Sequence, residues 1–260
     1  MGYFTGVMPL ASYKMDAAGI DAKAESKLYP TGGLFANYNT GKWAFGLGVF
    51  VLAGLDVEWC AEDIYGPGTS EIELMSEIGA ISISPAVAYQ ITEQFSVGVT
   101  VNIYYAMFDM KQPVNGGPLG MHQFSESSTG TGFGFTVGLK YDFSEKFSAG
   151  ATFRSSTSVS MSGDATNTLF PLIPNMPPAM VPGPETSSFS RDVTWPMWIA
   201  GGLAYKPSSC WTITLDAQYS QWSELDKLVA TYDDPYWKVA MDGEEEFDLK
   251  WEDAIMIRAG

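Results

Sequence analysis

Between residues 95 and 107 every second side chain is large and apolar: Phe95, Val97, Val99, Val101, Ile103, Tyr105 and Met107. The intervening Ser96, Gly98, Thr100, Asn102, Tyr104 and Ala106 are small or carry a polar atom. The pattern recurs from Phe133 (Phe133, Phe135, Val137, Leu139, Tyr141, Phe143 against Gly132, Gly134, Thr136, Gly138, Lys140, Asp142). It recurs again from Trp211, with Ile213, Leu215, Ala217 and Tyr219 against Thr212, Thr214, Asp216, Gln218 and Ser220. A period of two puts all the apolar groups on one face of a β-strand. The runs exceed the ~5–6 residues of an ordinary soluble strand. They are long enough for the ~9–11 residues of a tilted membrane crossing.

A phrase at the hinge of successive hairpins sharpens this reading. It is Tyr89-Gln-Ile-Thr-Glu-Gln-Phe95, then Tyr141-Asp-Phe-Ser-Glu-Lys-Phe147, then Tyr205-Lys-Pro-Ser-Ser-Cys-Trp211, with a shorter Tyr38-Asn-Thr-Gly-Lys-Trp43. Each copy flanks a tight polar turn with aromatic rings, as the interfacial girdle of a transmembrane β-barrel requires. Ten strands are predicted, over 4–16, 29–39, 42–53, 72–91, 94–110, 131–143, 146–162, 190–206, 210–222 and 246–260. Short turns then alternate with long loops at 17–28, 54–71, 111–130, 163–189 and 223–245, so all long connections share one rim. The expected fold class is an all-β, antiparallel, up-and-down transmembrane barrel forming a single domain over 1–260. A soluble sandwich or lipocalin-like barrel would turn the apolar face inward and lacks this asymmetry of connections.

Composition changes the picture little, because alternation dilutes the average hydropathy of a barrel. The net charge of −16 with no Lys/Arg cluster excludes nucleic acid as a partner. No apolar run is long enough for a transmembrane helix. Met1-Gly-Tyr-Phe-Thr has neither the basic nor the apolar region of a signal peptide, which on this reading has been removed or lies outside a partial chain. Cys60 falls in a long loop and Cys210 in a short turn, at opposite ends of the barrel, so no disulfide is expected.

The ordered series Ile83-Ser-Pro-Ala-Val-Ala-Tyr89, Phe95-Ser-Val-Gly-Val-Thr-Val-Asn102, Gly132-Phe-Gly-Phe-Thr-Val-Gly-Leu-Lys-Tyr141, Phe147-Ser-Ala-Gly-Ala-Thr-Phe-Arg-Ser155, Gly202-Leu-Ala-Tyr-Lys-Pro207 and Trp211 through Ser223 resembles the FadL/TodX-type outer-membrane transporters. Trp251-Glu-Asp-Ala-Ile-Met-Ile-Arg-Ala-Gly260 is similar to a further strand of that family. The resemblance implies passive uptake of long-chain fatty acids or other hydrophobic small molecules, by a porin-like monomer among outer-membrane lipids and lipopolysaccharide. It implies no cofactor and no energy source. It also implies a 14-stranded barrel with an N-terminal hatch carrying Asn-Pro-Ala. No Asn-Pro-Ala occurs here, and the hatch, one N-terminal strand and about three C-terminal strands are expected to be missing from this chain.

Three candidate sites follow. The apolar run Leu169-Phe-Pro-Leu-Ile-Pro-Asn-Met-Pro-Pro-Ala-Met-Val-Pro182 sits in an outer loop, where exposed apolar surface usually marks binding. The resemblance implies a capture groove of Leu169, Phe170, Leu172, Ile173, Met176 and Met180 facing Met107, Phe108, Met110, Leu119 and Met121; the competing reading is loop packing over the barrel mouth. By parity Phe50, Tyr104, Arg154 and Trp198 face the lumen, where an acyl chain would bury ~0.8 kcal/mol per CH₂. Arg154 would meet either a ligand carboxylate or, in the favoured reading, a lumenal acid such as Asp142 or Asp216. Gly32-Gly33 permits a break in the ladder, and the resemblance implies a lateral opening there; a plain turn after Pro30 is the alternative.

An enzyme is not expected. The one histidine, His122, lies in a Gly-rich loop near Ser125, Ser127 and Ser128, which is weak support for a Ser-His pair. Asp233-Asp234 and Glu244-Glu245-Glu246 could hold the divalent cations that bridge lipopolysaccharide, although a solvated charged loop explains them as well. An adhesin or receptor barrel, and a soluble lipid-binding barrel, remain the alternatives in function.

Overall fold

A computed structural model describes residues 1–173, 182–241 and 246–260. The main strands are β1 (Gly2–Val7), β4 (Tyr29–Thr40), β5 (Trp43–Cys60), β6 (Glu73–Gln90), β7 (Phe95–Asn115) and β8 (Met121–Asp142). They are followed by β9 (Phe147–Arg154), β10 (Thr157–Asn167), β11 (Thr186–Trp195), β12 (Trp198–Ser208), β13 (Trp211–Ser220), β14 (Lys227–Tyr232), β15 (Glu246–Asp248) and β16 (Ala254–Ala259). A separate hairpin joins β2 (Ser12–Met15) to β3 (Ile20–Lys23), and two short helices, α1 (Ala61–Tyr65) and α2 (Pro235–Ala240), sit in the loops.

Each antiparallel pass pairs with the next, from β1–β4–β5–β6–β7–β8 onward. The lower part of β8 then pairs with β9 and its upper part with β10. β9, β12, β13 and β16 continue the lower wall, while β10, β11, β14 and β15 continue the upper one. The chain therefore makes ten passes, four of them interrupted at mid-height. Among the described residues β1 pairs only with β4, and β16 only with β13, so the sheet stays open.

The apolar rows point outward. Val99 is 44% exposed, Leu139 45% and Ile213 52%, and Phe45, Leu47, Ile81, Ile83, Val101, Phe133, Phe135, Leu203 and Leu215 share that exposure. Such a continuous apolar exterior is a poor solute for water and a good one for lipid. The opposite face carries a polar chain in which Ser82 and Ser84 hydroxyls meet at 2.8 Å, Ser84 donates to Asn102 at 3.1 Å, and Asn102 Nδ2 donates to Thr136 at 2.8 Å. At the turn rim the rings pair: Trp43 with Tyr89 of the neighbouring strand at 4.6 Å, Tyr141 with Phe143 at 4.8 Å, and Phe143 with Phe147 across the turn at 5.2 Å. Gly41 opens a two-residue hairpin at φ +56°, where glycine alone is unstrained. Cys60 and Cys210 are free and exposed at opposite rims.

The loop rim departs from expectation. Strand 4–16 is instead β1 plus the separate β2–β3 hairpin. Most of the loop expected at 111–130 is ladder, since β7 and β8 stay paired out to Asn115–Met121. β5 likewise runs to Cys60, and 223–245 contains β14 and α2. These stretches lack the hydrophobic alternation of the lower wall because no lipid adjoins them; backbone pairing and an inward core hold them instead.

That core is a second inversion. In β10, Val159, Met161 and Ala165 are buried, whereas Ser158, Ser160, Ser162 and Asp164 are exposed. In β11, Phe189 and Val193 are buried, and Ser190 and Asp192 are exposed. Ser160 donates to Asp192 at 2.7 Å and Ser188 to Asp164 at 2.8 Å, forming a hydrogen-bonded polar exterior. The upper wall is apolar inside and polar outside, the arrangement of a sheet in water.

Candidate functional site

The lumen holds neighbouring spaces that share lining residues. Beneath the wall interruptions lies a cavity of about 270 Å³ lined by Leu52, Tyr104, Thr157, Trp195, Trp222 and Met256, among others. Arg154 and Trp198 form its floor and are shared with a space of about 600 Å³ below, which reaches Phe50, Asn102 and Met1. The four residues expected to face the lumen are thus brought together, Tyr104 and Phe50 on either side of the Arg154–Trp198 pair. Trp195, Thr157, Trp222 and Leu52 were missed. Arg154 and Thr157 are three residues apart yet line one cavity, as are Trp195 and Trp198; an unbroken strand would send one of each pair outward. The chain breaks at Ser155–Ser156 and Pro196–Met197 reset the parity. Pro196 inside a predicted strand was the one available signal. Leu52 is turned in by a register shift between Val51 and Ala53.

Arg154 is not paired with a lumenal acid. Asp142 is held by Lys140, two residues before it on β8, at 2.8 Å, and Asp216 by Arg258 on the neighbouring β16 at 2.7 Å, so the favoured expectation is corrected: nearer cations have taken both carboxylates. The guanidinium lies over the Tyr104 and Trp198 rings at 5.6 and 5.7 Å, and its Nε has no hydrogen-bond partner.

Phe50 also lines a recess of about 290 Å³ in the wall, with Phe4, Gly32, Gly33, Leu34, Val51 and Ile81. From Thr40–Trp43 up to Gly33–Phe50, β4 and β5 are paired; above that they part. Tyr29–Gly32 pair with β1, and Val51–Cys60 pair with β6. A Cβ on Gly33 would lie 2.8 Å from Phe50 Cβ, and one on Gly32 would lie 2.6 Å from the Tyr3 carbonyl oxygen. The glycines allow close approach and cause no bulge, since the β1–β4 ladder runs straight through them. Above the parting, Tyr29 donates to Asp56 at 2.7 Å and Lys27 is ion-paired with Glu58. The hydrogen bond that Lys27 donates to Glu58, aided by the carboxylate's charge, holds the ammonium above its usual pKa.

The outer end is capped. Phe170 packs against Trp237 at 4.7 Å and Tyr236 at 5.2 Å, with Phe124, Phe189 and Tyr232 around them. Asp234 caps α2 by accepting from the amides of Tyr236 and Trp237. Burial pushes the Tyr236 hydroxyl pKa up. Beneath this cluster Arg191 pairs with Glu126 at 2.9 Å, and Tyr232 donates to Glu126 at 2.9 Å.

The two loop segments expected to form a groove do meet, since Gln123 donates its amide to Thr168 at 3.0 Å and Gly116 abuts Leu169. They meet as packing. Leu169 and Phe170 are buried, Met110 packs on the same cluster, Phe108 lies under Arg191, and Ile173 and Met121 are half-buried. Only Leu119 and Leu172 remain well exposed at the rim. Met107 lies in β7 on its outward side and is no loop residue. Met176, Met180, Glu244 and Glu245 lie outside the described residues. Among the described residues no cluster of His, Cys, Asp and Glu could hold a metal ion.

Comparison with solved structures gives the same architecture. The Pseudomonas putida toluene transporter TodX is 17% identical over 98% of this chain and 68% of its own length, with a TM-score of 0.75. A Pseudomonas aeruginosa FadL homologue is 16% identical over 92% of this chain and 57% of its own (TM-score 0.72). The Ralstonia pickettii toluene transporter TbuX is 14% identical over 92% and 67% (TM-score 0.68). The chain thus spans between about half and two thirds of the length of these proteins. The curated proteins searched give no match. An outward apolar belt, ringed by aromatics and enclosing a polar lumen, crosses a membrane by strands, and residues 5–260 match the model of the outer membrane protein transport proteins (OMPP1/FadL/TodX): the chain belongs to that family of the outer membrane.

Proposed function

We propose that the protein conducts hydrophobic small molecules passively from the cell exterior into the outer membrane. The observation that carries this reading is a row of neighbouring spaces: the cavity under the cap, a second space that shares Arg154 and Trp198 with it, and a wall recess that shares Phe50 with the second, beside the parting of β4 from β5. A ligand meets Leu119 and Leu172 first and must displace the Phe170–Trp237 packing. It then occupies the lumen and leaves sideways beside Phe50, where the ladder offers no strand-to-strand bonds to break. Release into lipid recovers the hydrophobic free energy of the ligand, so downstream consumption alone gives direction. That TodX and TbuX are toluene transporters supports substrates of one ring. The protein needs no catalytic group for this work, and a monomer suffices.

Toluene uptake by whole cells carrying the full-length protein tests the reading. Uptake above that of cells without it is expected, and Gly33→Val, which drives a side chain against Phe50, is expected to lower it several-fold. Uptake equal to that of cells lacking the protein would overturn the proposal.

A further inference from the structure

We infer that the cavity beneath the wall interruptions binds a single-ring carboxylic acid, a benzoate-like molecule, in preference to an unsubstituted hydrocarbon. The inference deepens the transport reading and rests on it for the ligand's path. Three observations lead to it. First, three polar atoms around the cavity are unsatisfied. Arg154 Nε, Trp195 Nε1 and Thr157 Oγ1 are all buried without a hydrogen-bond partner, and all three residues line this one space. Buried polar groups are almost always bonded, and leaving three unbonded in one place costs stability unless something else satisfies them. Toluene could satisfy none of them.

Second, the charge is uncompensated. Arg154 is the sole charged residue lining the cavity among the described residues, and the two acids expected to pair with it are bound elsewhere, to Lys140 and Arg258. A guanidinium in a low-dielectric site attracts an anion, and its planar fork matches a carboxylate. Seated on Arg154, a carboxylate would also be within the same lining as Thr157 and Trp195, which would turn their hydroxyl and indole N–H to it.

Third, the size and walls suit one ring. The walls are the aromatic faces of Tyr104, Trp195, Trp198 and Trp222, with Leu52 and Met256. A cavity of ~150 Å³ holds benzene in another protein, and pockets for drug-sized ligands run from ~300 Å³ upward. At about 270 Å³ this space admits a ring with its substituent.

The test is a titration of the purified full-length protein in detergent with sodium benzoate and, separately, with toluene, followed by tryptophan fluorescence and calorimetry. Benzoate should bind more tightly than toluene. Arg154→Gln should weaken benzoate by about tenfold or more, as loss of a charge-assisted hydrogen bond does, and leave toluene within about twofold. Trp195→Phe keeps the ring and removes one donor; it should weaken benzoate by about threefold, and it decides the matter if Arg154→Gln does not fold. Benzoate binding no tighter than toluene, or unmoved by both substitutions, would overturn the inference. Toluene uptake by cells separates the two readings. Intact uptake with no benzoate preference removes the carboxylate site alone. Specific benzoate binding without uptake of either compound removes the transport reading and leaves the site standing.

Discussion

In the passes from β9 to β12 the wall is apolar outside and polar within below the level of Arg154; above it the same passes of chain are polar outside and apolar within. In the lower part Ile199, Leu203 and Ile213 face out, and Ser82, Asn102 and Thr136 face the lumen. In the upper part Ser160 and Asp192 face out, and Val159, Met161 and Phe189 face in. Both halves satisfy the same rule, that apolar groups leave water, but one is immersed in lipid and the other in aqueous medium. The cavity at Arg154 lies on the line where the rule reverses. Strands that exchange faces must break there, and the breaks at 155–156 and 196–197 leave side chains from both halves converging on one space. The candidate site is thus a consequence of the change of solvent along the wall.

The contrast can be broken by experiment. The largest effect is expected from Glu126→Ala, which strips Arg191 of its partner inside the upper core and should cost about 3–5 kcal/mol in urea unfolding. A loss under 1 kcal/mol would mean that the upper core tolerates an unpaired cation and is wetter than a sheet interior. Next, Val99→Arg on the lower outer face should cost about 2–4 kcal/mol in lipid vesicles. Ser162→Arg on the upper outer face should stay within about 0.5 kcal/mol. Equal penalties would erase the distinction between the two exteriors. The smallest effect sharpens the boundary: Asp234→Ala removes the N-cap of α2 and should cost about 1 kcal/mol, read as faster proteolysis confined to the cap. Cleavage spreading into the lower wall would show the two halves to be one cooperative unit.

Much of the lower wall was legible in the chain. The runs from Phe95, Phe133 and Trp211 are long, strictly alternating and bracketed by rings, and a lipid-facing strand has few other ways to be written. The lumenal set Phe50, Tyr104, Arg154 and Trp198 followed from the same parity. The upper wall was hidden because Ser125 to Gly130, or Ser158 to Ser162, carry no outward apolar row; serine and threonine suit a loop and a solvated strand equally. The packing at the outer end was hidden for a related reason. Composition shows that Phe170 is apolar, and it does not say that Trp237, more than sixty residues on, has covered it.

By itself the sequence determined that this chain forms long antiparallel strands with one greasy face and ringed turns, since alternation and turn chemistry are local properties fixed residue by residue. Which medium each face meets, where the parity resets, and which polar atoms are left without partners were decided only by the tertiary structure. These depend on strands far apart in the chain arriving side by side, and no local pattern encodes the neighbour that fails to arrive at Arg154.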